Sequence, residues 1–202
     1  MMAEGALDVS RETLGKLEAF AELVQKWTAK INLVSKASVE QVWERHILDS
    51  AQIYDLAPAK GHWVDLGSGG GFPGIVVAIL SQGAAADHKI TLVESDQRKA
   101  VFLRTAIREL NLDATVLSER IESIAPLEAD VLSARALADL NDLFGFASLH
   151  LASDGLALFP KGEKWQKEIV SARELWSCQI DAIKSRSNPK AAILKIKDIV
   201  RV

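Results

Sequence analysis

Apolar residues at Leu14, Leu17, Ala21, Val24, Trp27 and Ile31 recur at gaps of three and four. That period predicts an amphipathic helix over 10–30. The stretch "NLVSKAS" breaks it, and Ser38 followed three residues later by Gln41 matches a capping box that would open a second helix. This helix would carry Val39, Trp43, His46/Ile47, Ser50 and Tyr54 along one stripe and end near Ala57-Pro58. Residues 1–60 contain no strand pattern and read as an N-terminal helical cap.

From His62 onward the pattern changes to short β-branched runs alternating with helical stretches. Strands are predicted at 62–67, 89–94, 114–117, 129–134 and 155–160, with helices between them at about 73–82, 96–111, 139–151 and 163–175. Two more β-rich runs, "SCQIDAIKS" and "AAILKIKDI", close the chain around the turn "RSNPK". Repeated β-α units imply an α/β fold with a parallel, doubly wound sheet. Strands joined only by a turn must pair antiparallel. The expected architecture is therefore a mostly parallel seven-stranded sheet ending in an antiparallel C-terminal hairpin. It suits a Rossmann-like class I methyltransferase better than a dinucleotide-binding domain. The division expected is 1–60 for the helical cap and 61–202 for the α/β domain.

Composition adds limits. With 202 residues, 49% hydrophobic and 25% charged, the chain has the profile of an ordinary folded protein with room for one sizeable domain. The N-terminal sequence lacks the pattern of a signal peptide, and no run approaches the roughly 18 apolar residues of a membrane span. A single cysteine, Cys178, excludes an intramolecular disulfide and a cysteine-based metal cluster. A cytoplasmic protein without a structural metal or membrane contact is expected. The net charge of −3 is unevenly spread: residues 1–61 carry −2, residues 62–160 carry −6 and residues 161–202 carry +5. The basic C-terminal part could face a polyanion or form a lysine-rich solvated face.

The densest chemical signal is "HWVDLGSGGGFPG", with five glycines among the eight positions 67–74. Val64 and Leu66 belong to the preceding strand and Pro73 suits the first turn of the following helix. A turn at the carboxyl end of the first strand is where open α/β sheets bind ligands. A P-loop would need Gly-Lys-Ser/Thr, and this turn has no lysine. Gly69-x-Gly71-x-x-Gly74 fits the dinucleotide pattern, and equally a turn that lets S-adenosylmethionine approach the backbone. Glu94 ends the second strand, 27 residues after Gly67. It could accept hydrogen bonds from both ribose hydroxyls of either cofactor, or place charge at the helix that starts at Asp96. Asp65 could order the glycine loop through backbone N–H groups or meet the cofactor's amino group. The approximately 140 residues beyond the cap leave no separate substrate domain for an NAD enzyme.

"RHILDS" (45–50), "VDLGSGGGFPG", "SERIE" (118–122), "SARALADLNDL" (133–143) and "PKG" (160–162) occur in this order. Together they closely resemble the bacterial GidB/RsmG family, the 16S ribosomal RNA (guanine(527)-N(7))-methyltransferases, from about Trp27 to the C-terminus. The resemblance implies S-adenosylmethionine as cofactor and 16S ribosomal RNA, free or in the small ribosomal subunit, as partner. It also implies that Gly67 and Phe72 line the cofactor pocket, that Ile121 and Glu122 lie against the adenine, and that Arg135 reaches the cofactor or the target base. The "SAR" spelling departs from members with Ser directly before Arg, which weakens a role for Ser133.

Guanine N7 carries an exposed lone pair, so its methylation needs positioning more than a general base. The chain has no Asp/Asn-Pro-Pro-aromatic motif after the fourth strand, and Cys178 lies far along the chain on a late strand. Both absences favour a ring nitrogen over an exocyclic amine or a pyrimidine C5. The catalytic candidates are Arg135, Arg45 and His46; the cofactor-binding set is Asp65, Gly67, Gly69, Gly71, Phe72, Glu94, Ile121, Glu122 and Arg135. Arg45 and Asp49, four apart on one helix, would pair. His46 lies on the apolar stripe, where docking of the cap competes with catalysis. For RNA contact the candidates are Lys161, Lys164, Arg45 and Lys36, joined by Lys167, Lys26 and Lys30. Trp27, Trp43 and Trp165 could stack on a flipped base, although spacing makes Trp27 and Trp43 core residues first. The alternatives left by the residues alone are a methyltransferase on another RNA or a small molecule, an NAD(P)-binding oxidoreductase, and a non-catalytic cofactor sensor.

Overall fold

The computed structural model describes residues 7–202, with the side chain of Lys36 outside the described atoms. Ser10 caps α1 (Arg11–Thr28), its hydroxyl accepting from the Thr13 N–H. The apolar stripe of α1 puts Leu17, Phe20 and Val24 fully inside.

The second predicted helix is three pieces. A 3₁₀ segment spans Lys36–Gln41, a π-helical turn spans Trp43–Ile47, and α2 covers Leu48–Tyr54. The capping box does not form, because the Ser38 hydroxyl donates to the Ser35 carbonyl instead. In the π turn the Leu48 N–H reaches back to the Trp43 carbonyl, a five-residue step. That step changes which side chains of "RHILDS" share a face.

The remaining elements alternate: β1 (Lys60–Leu66), α3 (Gly74–Gly83), β2 (Asp87–Val93), α4 (Gln97–Glu109), β3 (Ala114–Leu117), β4 (Ala129–Ala134), α5 (Leu140–His150), β5 (Leu151–Lys161), α6 (Trp165–Ala172), β6 (Trp176–Lys184) and β7 (Ala192–Arg201). The seven strands lie in the order β3-β2-β1-β4-β5-β7-β6. The first five are parallel, and β7 runs antiparallel to both β5 and β6. The expected sheet and C-terminal hairpin are therefore present.

Strand alternation divides the core in two. Trp63, Ile90, Leu92, Val131 and Leu158 face a cluster that also holds α3, α4 and the N-terminal helical segment. Val64, Leu66, Val93, Leu132 and Phe159 face a second cluster under α5 and α6. Trp27 and Trp43 pack half-buried against the first cluster, as their spacing implies, and Trp165 packs against the second.

The chain leaves β1 toward β2 on one side and returns to β4 on the other. This reversal is the topological switch point, where open α/β sheets form a ligand crevice beyond the carboxyl ends of the strands. Two segments leave the sheet there: the glycine turn after β1 and the 135–139 loop after β4.

Candidate functional site

Three glycines of the turn lie at positive φ: Gly67 (+64°), Gly69 (+53°) and Gly71 (+84°). Their surroundings differ. A Cβ on Gly71 would come within 2.8 Å of both Ile75 and the Phe20 ring, so this glycine serves packing against α1. A Cβ on Gly69 would meet nothing closer than the Gly67 carbonyl at 3.6 Å and the Glu94 carboxylate at 4.0 Å. Gly69 is where the turn has room for a ligand.

Asp65 holds the turn from beneath. It is fully buried, accepts from the Gly74 N–H (3.2 Å) and from the Ser133 hydroxyl (2.7 Å), and Ser133 accepts in turn from Trp63 Nε1 (3.0 Å). Burial pushes its carboxyl up to about 6, against the lowering effect of these hydrogen bonds. Of its two expected roles, loop ordering is the one its burial fits. Ser133, discounted on sequence, supplies the shortest of these bonds. Pro73 stands one place before its expected position, at the N-cap of α3.

Glu94 is nearly buried just beyond β2. Its Oε2 accepts from the Gly69 N–H (2.8 Å) and its Oε1 from the Asp96 N–H (2.7 Å). The cap of α4 is Asp96 itself, which accepts from Arg98 and Lys99. Glu94 thus ties the roomy part of the glycine turn to the head of α4. Ile121 packs into the core from a short 3₁₀ turn, while Glu122 points to solvent and pairs with Arg120 at 3.5 Å.

Arg135 reaches the helical segment. Nη2 donates to the Arg45 carbonyl (2.9 Å) and to His46 Nδ1 (2.8 Å), and Nε lies 3.4 Å from Asp49 Oδ2. The expected Arg45–Asp49 pair does not form. Asp49 instead faces Arg135 and accepts from the Ser187 hydroxyl at 2.7 Å, while the Arg45 side chain stays exposed. The π turn explains the difference, because its wider register presents the Arg45 carbonyl and the His46 ring to Arg135 together.

His46 also stacks on Phe72 (centroids 5.0 Å apart, 28° between planes), and the Arg135 guanidinium lies 6.0 Å from the same ring. A guanidinium only donates, so His46 Nδ1 accepts and its proton sits on Nε2. Burial, reinforced by the Arg135 and Arg45 cations, lowers the His46 pKa to about 4 and keeps the ring neutral near pH 7. His46 Nε2 and Arg135 Nη1 are both buried donors without a partner.

Beside this cluster opens a cleft of about 1210 Å³, lined among others by Arg45, His46, Asp49, Arg135, Lys161 and Ser187. Gly67, Gly69, Gly71, Glu94, Ile121 and Glu122 are not in its wall. The candidates thus fall into two groups, one on the glycine turn and one at the cleft, with Phe72 and Arg135 between them.

The basic candidates also divide. Lys161 is 9% exposed, donates to the Ala138 carbonyl (3.0 Å) and is ion-paired with Glu168, so its ammonium is occupied internally. Lys164 and Lys167 are exposed and without an ion-pair partner among the described residues. Arg45 shares that condition, whereas the Lys36 side chain lies outside the described atoms. Among the described residues no group of three or more His, Cys, Asp or Glu is placed to hold a metal, and no helix is long and apolar enough to cross a membrane.

Fold and site together define a Rossmann-like class I methyltransferase. Solved structures with this fold include M. jannaschii TYW2 in complex with AdoMet (TM-score 0.60, 14% identity, 87% of this chain and 80% of that one). A SAM-dependent methyltransferase from Aquifex aeolicus is similarly related (TM-score 0.60, 12% identity, 89% and 98%). The chain belongs to the GidB family, rRNA small subunit methyltransferase G, which it matches over residues 13–193. It is 56% identical over 196 residues to the Ribosomal RNA small subunit methyltransferase G of Ruegeria sp. (strain TM1040), covering 97% of this chain and 96% of that protein. The protein of the same name from Cereibacter sphaeroides (strain ATCC 17023) is 52% identical over 206 residues, with both chains covered completely.

Proposed function

We propose that this chain transfers a methyl group from S-adenosylmethionine to N7 of a guanine in 16S ribosomal RNA, position 527 by the family's activity, and that it does so in the cytoplasm. The observation that carries the reading is the Arg135 junction. In a chain of this family, one guanidinium joins the glycine turn, through Phe72, to a cleft walled by "RHILDS".

The residues fit the cofactor. Gly69 leaves room above the turn, and Glu94, just beyond β2, carries a carboxylate that can accept from ribose hydroxyls as it now accepts from the Gly69 and Asp96 N–H groups. Arg135 Nη1 and His46 Nε2 are unpartnered donors suited to an oxygen acceptor of cofactor or base. When bound, S-adenosylmethionine supplies an electrophilic methyl group on a sulfonium.

Guanine N7 attacks through a lone pair and needs no deprotonation, which agrees with a site whose histidine is held neutral and donating. The methylated ring becomes cationic, so Arg135 acts by orienting its acceptor and not by stabilising that charge. Most of the acceleration comes from alignment within the cleft. Exposed Arg45, Lys164 and Lys167, together with exposed Lys26 and Lys30, are cations able to meet phosphates.

Calorimetry with S-adenosylmethionine and with NADH, followed by transfer of labelled methyl to unmodified 16S RNA and small subunits, tests the reading. Binding of S-adenosylmethionine alone and incorporation of label are expected. Binding without transfer to either substrate would leave a cofactor sensor, and preference for NADH an oxidoreductase.

A further inference from the structure

The loop 135–139 carries two functional contacts in opposite directions. Arg135 turns toward the helical segment, while Leu137 lies over Gly67, where its Cδ1 would stand 2.6 Å from a Cβ on that glycine. Between them Ala136 sits at φ +54°, a left-handed conformation that costs a non-glycine residue about 1–2 kcal/mol. Something outside the loop must hold this shape. At its far end, Asp139 caps α5 by accepting from the Asp142 N–H (3.1 Å). Immediately before it, the Ala138 carbonyl accepts from Lys161 Nζ (3.0 Å). Lys161 terminates β5, and its ammonium is fixed on the other side by Glu168 of α6.

We propose that Lys161 is a positioning residue. Clamped by Glu168, it holds the Ala138 carbonyl so that one short loop presents Arg135 to the cleft and Leu137 to the glycine turn at once. It thereby acts on transfer through Arg135 and makes no contact with RNA phosphate. The proposal rests on the methyltransferase reading above and assigns to this lysine a different task from the one its place in "PKG" suggests. The physical reason is desolvation: a lysine head group with two internal partners has little to gain from a phosphate it would have to leave them to reach.

The test compares wild type with Lys161→Met/Glu168→Gln, which removes the ammonium without stranding a carboxylate, and with Lys161→Arg. Thermal melts establish that each variant unfolds cooperatively. Steady-state kinetics then give kcat and KM for RNA, and RNA affinity is measured across a salt series. The double variant is expected to lose roughly 10- to 100-fold in kcat, the scale of a small misplacement of reacting groups. Its RNA affinity and salt slope should remain those of wild type, and Lys161→Arg should recover part of kcat. A salt slope reduced by roughly 0.7–0.9 would make Lys161 a phosphate contact and overturn the proposal. Unchanged kcat in the double variant would overturn it as well. Failure of the methyltransferase reading would show separately, as a wild-type protein that transfers no label.

Discussion

Arg135 meets the Arg45 carbonyl, His46 and Asp49 with one planar fork, a geometry that lysine cannot reproduce. Arg135→Ala should abolish methyl transfer. It should lower stability by only about 1–3 kcal/mol, because Asp49 keeps Ser187 as a partner. Arg135→Lys should remain far below wild type in kcat, checked by kinetics beside denaturant titration. Two neighbours titrate in opposite senses. His46, with its pKa lowered to about 4, resists a proton that the unfolded chain accepts near 6.5, so its contribution to stability is lost as pH falls from about 6.5 to 4. Asp65, raised to about 6, holds a proton that the unfolded chain has released, so its contribution is present at acidic pH and lost as pH rises from about 4 to 6. Melting temperatures between pH 4 and 7 should thus show a steeper loss on acidification in Asp65→Asn than in wild type, and a shallower one in His46→Gln. The resemblance alone made Arg135 legible as a candidate. Its partner Asp49 was not, because spacing on an ideal helix pairs Asp49 with Arg45, and a π turn alters that spacing without leaving a mark in the hydrophobic pattern.

The strands are legible because short apolar and β-branched runs stand between helical stretches; β3 and β4 coincide with their predicted limits. The N-terminal segment was less so. Its apolar stripe is real, yet the Ser38 hydroxyl bonds back to Ser35, just before the 3₁₀ segment, rather than capping a helix. In the glycine turn, the pattern shows where glycines are required but not which ones serve a ligand. Gly71→Ala should destabilise the fold by about 2–4 kcal/mol, since a side chain there is both strained and opposed by Phe20 and Ile75. Gly69→Ala, strained but unopposed, should cost about 1 kcal/mol while weakening S-adenosylmethionine binding more than tenfold. Denaturant titration paired with calorimetry separates the two. Equal effects of both substitutions on stability and on binding would contradict the division.

Across the molecule, the cleft lies between the N-terminal helical segment and the C-terminal hairpin of the sheet. One wall comes from the helical segment around "RHILDS", the other from the turn between β6 and β7. The two are joined by Asp49 to Ser187 (2.7 Å) and by the Arg186 N–H to Gln52 Oε1 (2.6 Å). No local pattern announces a contact between residues some 135 positions apart, and the sequence accordingly places "RSNPK" only as a turn. Gln52→Ala/Ser187→Ala should loosen this wall, raising KM for RNA while leaving S-adenosylmethionine affinity at the glycine turn unchanged; kinetics and calorimetry on the same preparation check it. In the proposed reaction the glycine turn and this cleft meet at Arg135, and a guanine ring nitrogen receives the methyl group. The most direct measurement reacts the protein with labelled S-adenosylmethionine and small subunits lacking the modification, then digests the RNA and identifies the labelled nucleoside by mass spectrometry. A single labelled species, 7-methylguanosine, is expected, arising from one site in 16S RNA and absent with Arg135→Ala. Label on an exocyclic amine, on ribose, or on no nucleoside at all would contradict it.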